Sequence, residues 1–259
     1  MYYIVQENVF RERNYDNLIM SLDRSGFEYE IVSVHPFVNN YNFKTTRKDV
    51  FPFGSLKMAR LSRELDWYPG SMMSDTHDYM VYKDYYGEHL LNSDSRIVKF
   101  GDEFEHDRGY FFARPTQDTK VFTGQVFSMA AWKDFVKYHL NNGHETLLTK
   151  DTLVQISSMK QIYKECRFWI VKGEVITASQ YKLGTRAQTD PLVDDDAYEF
   201  CRKMVDIYQL AEAFVMDLGL TDDGWKIVEC GCINCAGFYD ADMGKLLNAL
   251  ELAFSTTQP

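Results

Sequence analysis

AFVMDLGLTDDGWKIVECGCINCAGFY, residues 213–239, is the stretch on which the fold prediction rests. Two apolar runs, Phe214–Leu220 and Trp225–Cys230, flank the polar residues 222–224. The Asp-Asp-Gly sequence between them is typical of a three-residue hairpin loop, in which a type I turn is closed by a left-handed glycine. The stretch therefore predicts two antiparallel strands.

The loop length decides which residues of the two strands face each other. With three loop residues, Thr221 pairs with Trp225, and Asp217 lies directly opposite Glu229 on the same face. Opposed Cβ atoms are roughly 4.5–5.5 Å apart, so the carboxylates repel each other and lose hydration. Mg²⁺, which commonly takes one or two carboxylates and phosphate oxygens, makes this arrangement favourable. A two-residue turn at Asp223-Gly224 instead places the acids on opposite sides, one solvated and one paired with Lys or Arg. The hairpin alone leaves both interpretations open.

The composition is that of an ordinary folded protein. The 259 residues suffice for one large domain or two to three small ones, and 45% are hydrophobic and 25% charged. The net charge of −10 argues against a general binder of nucleic acid or anionic membranes. The sequence has neither a run of about 18 apolar residues nor the layout of a signal peptide, so we expect a cytoplasmic protein.

Five cysteines form an odd set, which fits a reducing compartment rather than a disulfide scaffold. Three of them follow the pattern Cys230-x-Cys232-x-x-Cys235, which is half of a zinc site. No second cysteine pair or nearby histidine completes the four ligands that structural zinc needs. We therefore expect small, semi-buried thiols.

Residues 1–92 predict a small α/β unit. A strand at Tyr2–Gln6, a helix at Arg13–Arg24 and a strand at Glu28–Val34 form a β-α-β pattern, which favours parallel strands and a right-handed crossover. A short apolar run and a helix from Leu56 to about Leu65 follow.

The remaining chain alternates strands with amphipathic helices. Glu165–Val171 predicts a strand that turns back at Lys172-Gly173, with Glu165, Arg167 and Trp169 on one face. The Thr/Asp-rich tract from Gly184 to Asp196 predicts a loop. The predicted helices are Ser128–Asn142, Tyr198–Glu212 and Asp240–Phe254.

Two cations follow a strand end in the segment FFARPTQDTKVFTG. Arg114 precedes Pro115, which cannot extend a central ladder, and Lys120 lies in the polar loop beyond. An arginine fork and a lysine point charge suit phosphate oxygens. Taken alone, the pair is more simply two surface cations in a loop.

Taken in order, three segments resemble the ATP-grasp superfamily: FARP with its downstream K-FTG, the hairpin ECRFWIVKGEVITASQYK, and the terminal D…E…GFY block. More closely, the chain resembles the clade in which an arginine replaces one phosphate-binding lysine, frequent in phage and bacterial genomes. The resemblance covers most of the chain and implies an α+β fold in which two α+β lobes clasp ATP. The implied divisions are a pre-ATP-grasp α/β domain at 1–92, a first lobe at 93–156 and a second lobe at 157–259.

The same resemblance implies which residues form the site. The implied contacts to ATP are Lys99, Arg114, Lys120, Gln155, Ile156, Ser157, Arg167 and Lys182. Among them, residues 155–157 contact adenine through their backbone, and Arg167 reaches the phosphates or the acyl phosphate. The implied catalytic residues are Arg114, Lys120 and Arg167.

The implied magnesium ligands are Asp217 and Glu229. The superfamily usually ends this metal motif with Glu-x-Asn, and here Gly231 takes the place of the asparagine. Asn234 supplies the missing amide oxygen, or a water does, or metal binding and activity are weakened. The sequence does not choose among these.

The implied reaction is ligation of a carboxylate to an amine or thiol through an acyl phosphate, dependent on ATP and Mg²⁺. Such chemistry needs aligned oxygens, neutralised charge and excluded water rather than a protein nucleophile. The expected partners are small-molecule or peptide substrates, without nucleic acid or membrane. A phosphotransferase and a non-catalytic nucleotide-binding module stay open as alternatives, as does a homodimer. The expected location is the cytoplasm, that of the host if the chain is phage-encoded.

Overall fold

The structure is a computed structural model, and it describes residues 1–7, 9, 14–35, 41, 43–106, 109–117, 121–142 and 148–255. The strands are β1 Tyr2–Gln6, β2 Glu28–Val32, β3 Val50–Phe53, β4 Arg96–Lys99, β5 Tyr110–Pro115, β6 Gln125–Ser128, β7 Leu153–Ser157, β8 Lys164–Val171, β9 Glu174–Leu183, β10 Arg186–Asp190, β11 Ala213–Thr221 and β12 Gly224–Cys232. The helices are α1 Asn14–Ser25, α2 Leu56–Glu64, α3 Tyr79–Tyr86, α4 Met129–Asn141, α5 Asp195–Ile207 and α6 Met243–Phe254. Within these ranges, none of the helices is long and apolar enough to cross a membrane.

The chain divides into two compact units. Residues 1–75 and 162–259 form the larger unit, and residues 76–161 form the smaller unit. The N-terminal and C-terminal segments thus fold together, although they are far apart in sequence. The three domains expected from the sequence remain a prediction.

The larger unit begins with the expected β-α-β arrangement. Strands β1, β2 and β3 form a parallel sheet in the order β2-β1-β3, with Tyr3 opposite both Tyr29 and Phe51. Helix α1 buries Leu18 and Leu22 against this sheet. Helix α2 begins at Ser55, whose hydroxyl accepts a hydrogen bond from the Met58 amide.

An antiparallel sheet in the order β10-β9-β8-β11-β12 supplies the rest of the larger unit. The tract from Gly184 to Asp196 is not a simple loop, because β10 within it pairs with β9. The predicted helix Tyr198–Glu212 is displaced: α5 ends at Ile207. One hydrophobic core joins this sheet to the N-terminal segment, and its buried side chains include Tyr3, Leu18, Phe53, Trp169, Phe238 and Leu246.

The smaller unit is an antiparallel sheet in the order β4-β7-β5-β6 with helix α4 against it. The helix lies within the predicted range, and the Ser128 hydroxyl accepts from the Ala131 amide at 3.2 Å, as expected for its cap. Trp132 on this helix is buried with Phe100 and Phe127, so aromatic rings fill most of this core.

The hairpin of β11 and β12 confirms one part of the sequence interpretation and corrects another. Gly224 has the expected positive φ of 85°. The predicted pairing of Thr221 with Trp225 is wrong, because Thr221 pairs with Gly224. The register then shifts between Leu218 and Asp217, where Val228 is an extra residue on β12. This bulge restores the predicted opposition of Asp217 and Glu229.

Candidate functional site

A row of polar side chains crosses four strands of the five-stranded sheet. Ser179 on β9 is opposite Arg167 on β8, Arg167 is opposite Asp217 on β11, and Asp217 is opposite Glu229 on β12. Directly opposed residues project to the same face, so the four side chains are neighbours. The bulge at Val228 is what brings Glu229 into this row, since the register of the turn alone would place it on the other face.

Arg167 and Asp217 form a bidentate ion pair at the centre of this row. The Arg167 Nε atom lies 2.7 Å from Asp217 Oδ1, and Nη2 lies 2.8 Å from Oδ2. Burial raises the pKa of the Asp217 carboxyl, and the contact with Arg167 opposes that rise. The Glu229 carboxylate is 3.9 Å from Arg167 Nη2, and its side chain is 34% exposed, against 3% for Asp217. Glu229 is therefore the acid that a ligand from solvent meets first.

Two tyrosine rings flank the Arg167 guanidinium. Tyr181 and Tyr239 stack with ring centroids 4.8 Å apart and an interplanar angle of 16°. The Arg167 Cζ atom is 5.8 Å from the Tyr181 centroid and 5.1 Å from the Tyr239 centroid, within the range of cation–π attraction. Tyr239 has a φ of 49°, a left-handed conformation that is uncommon for a residue with a side chain. Sequence reasoning missed both rings.

Glu165 lies two residues before Arg167 on β8 and belongs to the same polar cluster. Its carboxylate accepts hydrogen bonds from the Tyr181 hydroxyl at 2.8 Å and from Lys182. Lys182, expected to contact ATP, thus forms an ion pair with a largely buried acid. The alternation of Glu165 and Arg167 along one strand face was visible in the sequence, but their partners on β9 were not.

Asn234, expected as a substitute metal ligand, has a different role in the structure. Its side chain is buried, and its Oδ1 atom accepts a hydrogen bond from the Met72 amide at 2.7 Å. Its Nδ2 atom donates to the carbonyl oxygens of Pro52 at 2.8 Å and Gly70 at 3.3 Å. Because these contacts join the end of β12 to the N-terminal segment, the amide oxygen is engaged in holding the fold together, and we correct this expectation.

In the smaller unit, several expected nucleotide contacts share one face of the four-stranded sheet. Arg114 is opposite Gln155, and Lys99 is opposite Leu153, which lies two residues from Gln155 on β7. The face opposite theirs packs on the aromatic core. Lys99 forms an exposed ion pair with Asp151 at 3.0 Å. Two cations and a buried amide are thus arranged on one face, away from the core.

The remaining expected contacts of this unit differ in what they can offer. The side chain of Ile156 is buried in the core, so it can contribute through its backbone alone. The Ser157 hydroxyl donates to Asn92 Oδ1 at 3.0 Å. Lys120 lies outside the described residues. A small cavity of about 240 Å³ is lined by Pro115, Thr116, Gln117, Val121, Asp151, Thr152 and Leu153.

The donor set of the acid pair fits Mg²⁺ in part. Asp217 and Glu229 provide hard carboxylate oxygens, and the exposed edge of Glu229 leaves room for water and phosphate oxygens. In the described part of the chain, no group of three or more His, Cys, Asp or Glu is arranged to hold a metal. All five cysteines are buried and free, which supports the interpretation as packed thiols.

The sheets and the acid row together define a protein of the ATP-grasp fold, and solved structures share it over nearly the whole chain. D-cycloserine synthetase DcsG matches with a TM-score of 0.62 and 14% identity, covering 97% of this chain and 98% of its own. D-alanine–D-alanine ligase from Bacillus anthracis complexed with ATP matches with a TM-score of 0.65 and 10% identity, covering 98% and 96%. The ATP-grasp ligase PsnB, complexed with precursor peptide PsnA2 and AMPPNP, matches with a TM-score of 0.56 and 11% identity, covering 97% and 96%.

The chain belongs to an ATP-grasp domain family, the third family of its clade, whose model matches residues 51–250. No curated protein matches the sequence. The structural matches have identities too low to transfer a substrate, and they show the fold alone.

Proposed function

We propose that this protein is an ATP- and Mg²⁺-dependent ligase that joins a carboxylate to an amine or thiol through an acyl phosphate. The observation that carries the proposal is the opposition of Asp217 and Glu229 with Arg167 beside them on one sheet face. The family assignment supports it, and so do matched structures that are themselves ligases. One of those was solved with a peptide, so the acceptor class includes small molecules and peptides.

The proposed reaction has two steps, each of which balances. A substrate carboxylate oxygen attacks the γ-phosphorus of ATP, the bond to the β-phosphate oxygen breaks, and ADP leaves. The amine or thiol then attacks the acyl carbon, loses its proton, and releases inorganic phosphate. Both steps place negative charge on phosphoryl oxygens, which positioned cations stabilise.

Each residue set has a role in this proposal. Asp217 and Glu229 hold Mg²⁺, which when bound would neutralise phosphate oxygens and fix their geometry. Arg167 donates to the phosphoryl group that is being transferred, since its planar fork matches phosphate oxygens. Arg114 and Lys99, on one face of the smaller unit, contribute the further cations that a triphosphate needs. Gly231 offers no side-chain oxygen, so water completes the metal shell.

Replacement of one acid by its amide tests the proposal. Glu229→Gln keeps the size of the side chain but removes its charge, and we expect ADP formation to fall by about 100-fold or more. The assay measures ADP release over a panel of amino acids, small acids and peptides with amine acceptors. Glu174→Gln, an exposed acid on β9, is the matched control and should keep wild-type turnover. Wild-type turnover by Glu229→Gln would exclude the acid pair as the metal site.

A non-catalytic nucleotide-binding module is the second candidate. The observations that favour it are Gly231 at the usual asparagine position and the use of Asn234 as a structural side chain. Calorimetry with AMPPNP and Mg²⁺ separates the two functions. Tight binding without ADP formation across the whole panel would support the module and contradict the ligase.

A further inference from the structure

The acid pair already has a cation beside it. Arg167 donates one N–H to each oxygen of Asp217, at 2.7 and 2.8 Å, and the nearer Glu229 oxygen is 3.9 Å away. Bidentate pairs of this kind are among the stronger charge-assisted hydrogen bonds in proteins. The guanidinium therefore performs the neutralisation that a divalent cation would otherwise provide.

Contacts unrelated to the acids also hold Arg167 in this position. Tyr181 and Tyr239 place their faces near the guanidinium, and the Gly237 carbonyl oxygen lies 3.5 Å from Nη1. The left-handed backbone of Tyr239 costs on the order of 1 kcal/mol, so the surrounding contacts must favour this placement of its ring. The position of Arg167 is thus built into the fold rather than left to solvent.

The charges of the row explain what this arrangement does to an incoming ion. Asp217 and Glu229 contribute −2, and Arg167 contributes +1, which leaves −1 for the three side chains. A free divalent cation would meet one net negative charge and a guanidinium that repels it at short range. An incoming triphosphate changes the balance, because its oxygens attract both the metal and the guanidinium.

We propose that Arg167 is the resident counter-ion of the acid pair, positioned by Tyr181 and Tyr239, and that a divalent cation binds this pair only together with an anionic phosphate ligand. The inference rests on the proposed function and adds an order of binding to it. Nucleotide and metal arrive together, and Arg167 moves from Asp217 to the phosphate.

A titration with Mn²⁺ alone, followed by the electron paramagnetic resonance signal of the free ion, tests this inference on the full chain. Without nucleotide, we expect Arg167→Ala to bind Mn²⁺ at least about tenfold more tightly than wild type, because the repelling charge is gone. Adding Glu229→Gln to that variant should remove the gain. Arg186→Ala, an exposed arginine on β10, is the control and should match wild type. Equal Mn²⁺ affinity in wild type and Arg167→Ala would overturn the inference.

The tyrosines have their own readout. Tyr239→Leu removes one ring from the guanidinium and should give a smaller gain in Mn²⁺ affinity than Arg167→Ala. Tyr239→Phe keeps the aromatic face and should restore the wild-type value, which a merely structural role of the hydroxyl would not predict. Identical affinities in the leucine and wild-type proteins would contradict a positioning role for Tyr239.

Arg167→Ala leaves a buried carboxylate without its partner, so circular dichroism and thermal unfolding accompany the titration. If that variant does not fold, Arg167→Lys is titrated instead. Lysine is a point charge that cannot bind both oxygens, and we expect a gain of about threefold, with no gain overturning the inference. Failure of the proposed function looks different: wild type would form no ADP, while the Mn²⁺ affinities without nucleotide would still follow the pattern above.

Discussion

Replacement of Asn234 separates a structural side chain from a metal ligand. The Asn234 amide makes two hydrogen bonds of 2.7 and 2.8 Å, to the Met72 amide and the Pro52 carbonyl, and a longer one of 3.3 Å to the Gly70 carbonyl. These contacts join the end of β12 to residues 52–72. Asn234→Ala removes all three and leaves buried carbonyl groups without a donor.

The magnitude follows from those contacts. A net loss of about 1 kcal/mol for each good hydrogen bond, and a further penalty for the unpaired buried carbonyls, gives a destabilisation of roughly 2–4 kcal/mol. Asn234→Asp should cost at least as much, because it places a carboxylate oxygen against the carbonyls of Pro52 and Gly70. A metal ligand behaves differently, since aspartate binds Mg²⁺ at least as well as asparagine.

Urea unfolding, with EDTA and with excess Mg²⁺, measures the effect. The destabilisation should be the same in both conditions, and the nucleotide affinity of the folded fraction should not depend on residue 234. Asn142→Ala, an exposed asparagine that caps α4, is the control and should change stability by less than about 0.5 kcal/mol. An unchanged urea midpoint for Asn234→Ala, together with weaker Mg²⁺-dependent nucleotide binding, would refute the structural role.

Three further predictions concern the surface and the core. The Arg47 guanidinium holds the pKa of Asp49 below its ordinary value, so Asp49→Asn should destabilise at pH 7, and its difference from wild type should shrink as the pH falls below about 4; urea midpoints at pH 7 and 3 check the sign, and a constant difference contradicts it. Burial raises the pKa of Cys166 to about 12, and all five thiols are buried, so a disulfide reagent at pH 8 should label them only after unfolding; rapid labelling of the native protein would show an exposed thiolate. Gly224→Ala should cost about 1 kcal/mol because its φ is 85°, whereas Gly244→Ala in α6 should stabilise by about 0.5–1 kcal/mol, as thermal unfolding of the two variants will show.

Local patterns in the sequence predicted much of the fold. The β-α-β start, the helix after Ser128 and the hairpin at Lys172-Gly173 all follow from periodicity and from capping or turn residues. Such signals are short-range, and the structure confirms them. The tract from Gly184 to Asp196 was misread because its polar composition conceals β10, whose pairing with β9 is a tertiary contact.

The opposition of Asp217 and Glu229 shows how a correct inference can rest on an incorrect detail. The turn pairs Thr221 with Gly224, a register that alone would separate the acids. The bulge at Val228 compensates a short way along β12. No local residue preference marks that bulge, because it depends on how β12 packs beside β11 in the finished sheet.

By itself, the sequence determined the classes of element, the hairpin that carries both acids and the presence of Arg167 on a neighbouring strand face. These are properties of alternation and turn chemistry within a few residues. Tertiary structure alone decided that Arg167 pairs with Asp217, that Tyr239 lies beside the guanidinium, and that Asn234 holds the N-terminal segment. The physical reason is that each of these contacts joins residues at least 50 positions apart, and their distances are set by packing of the whole larger unit.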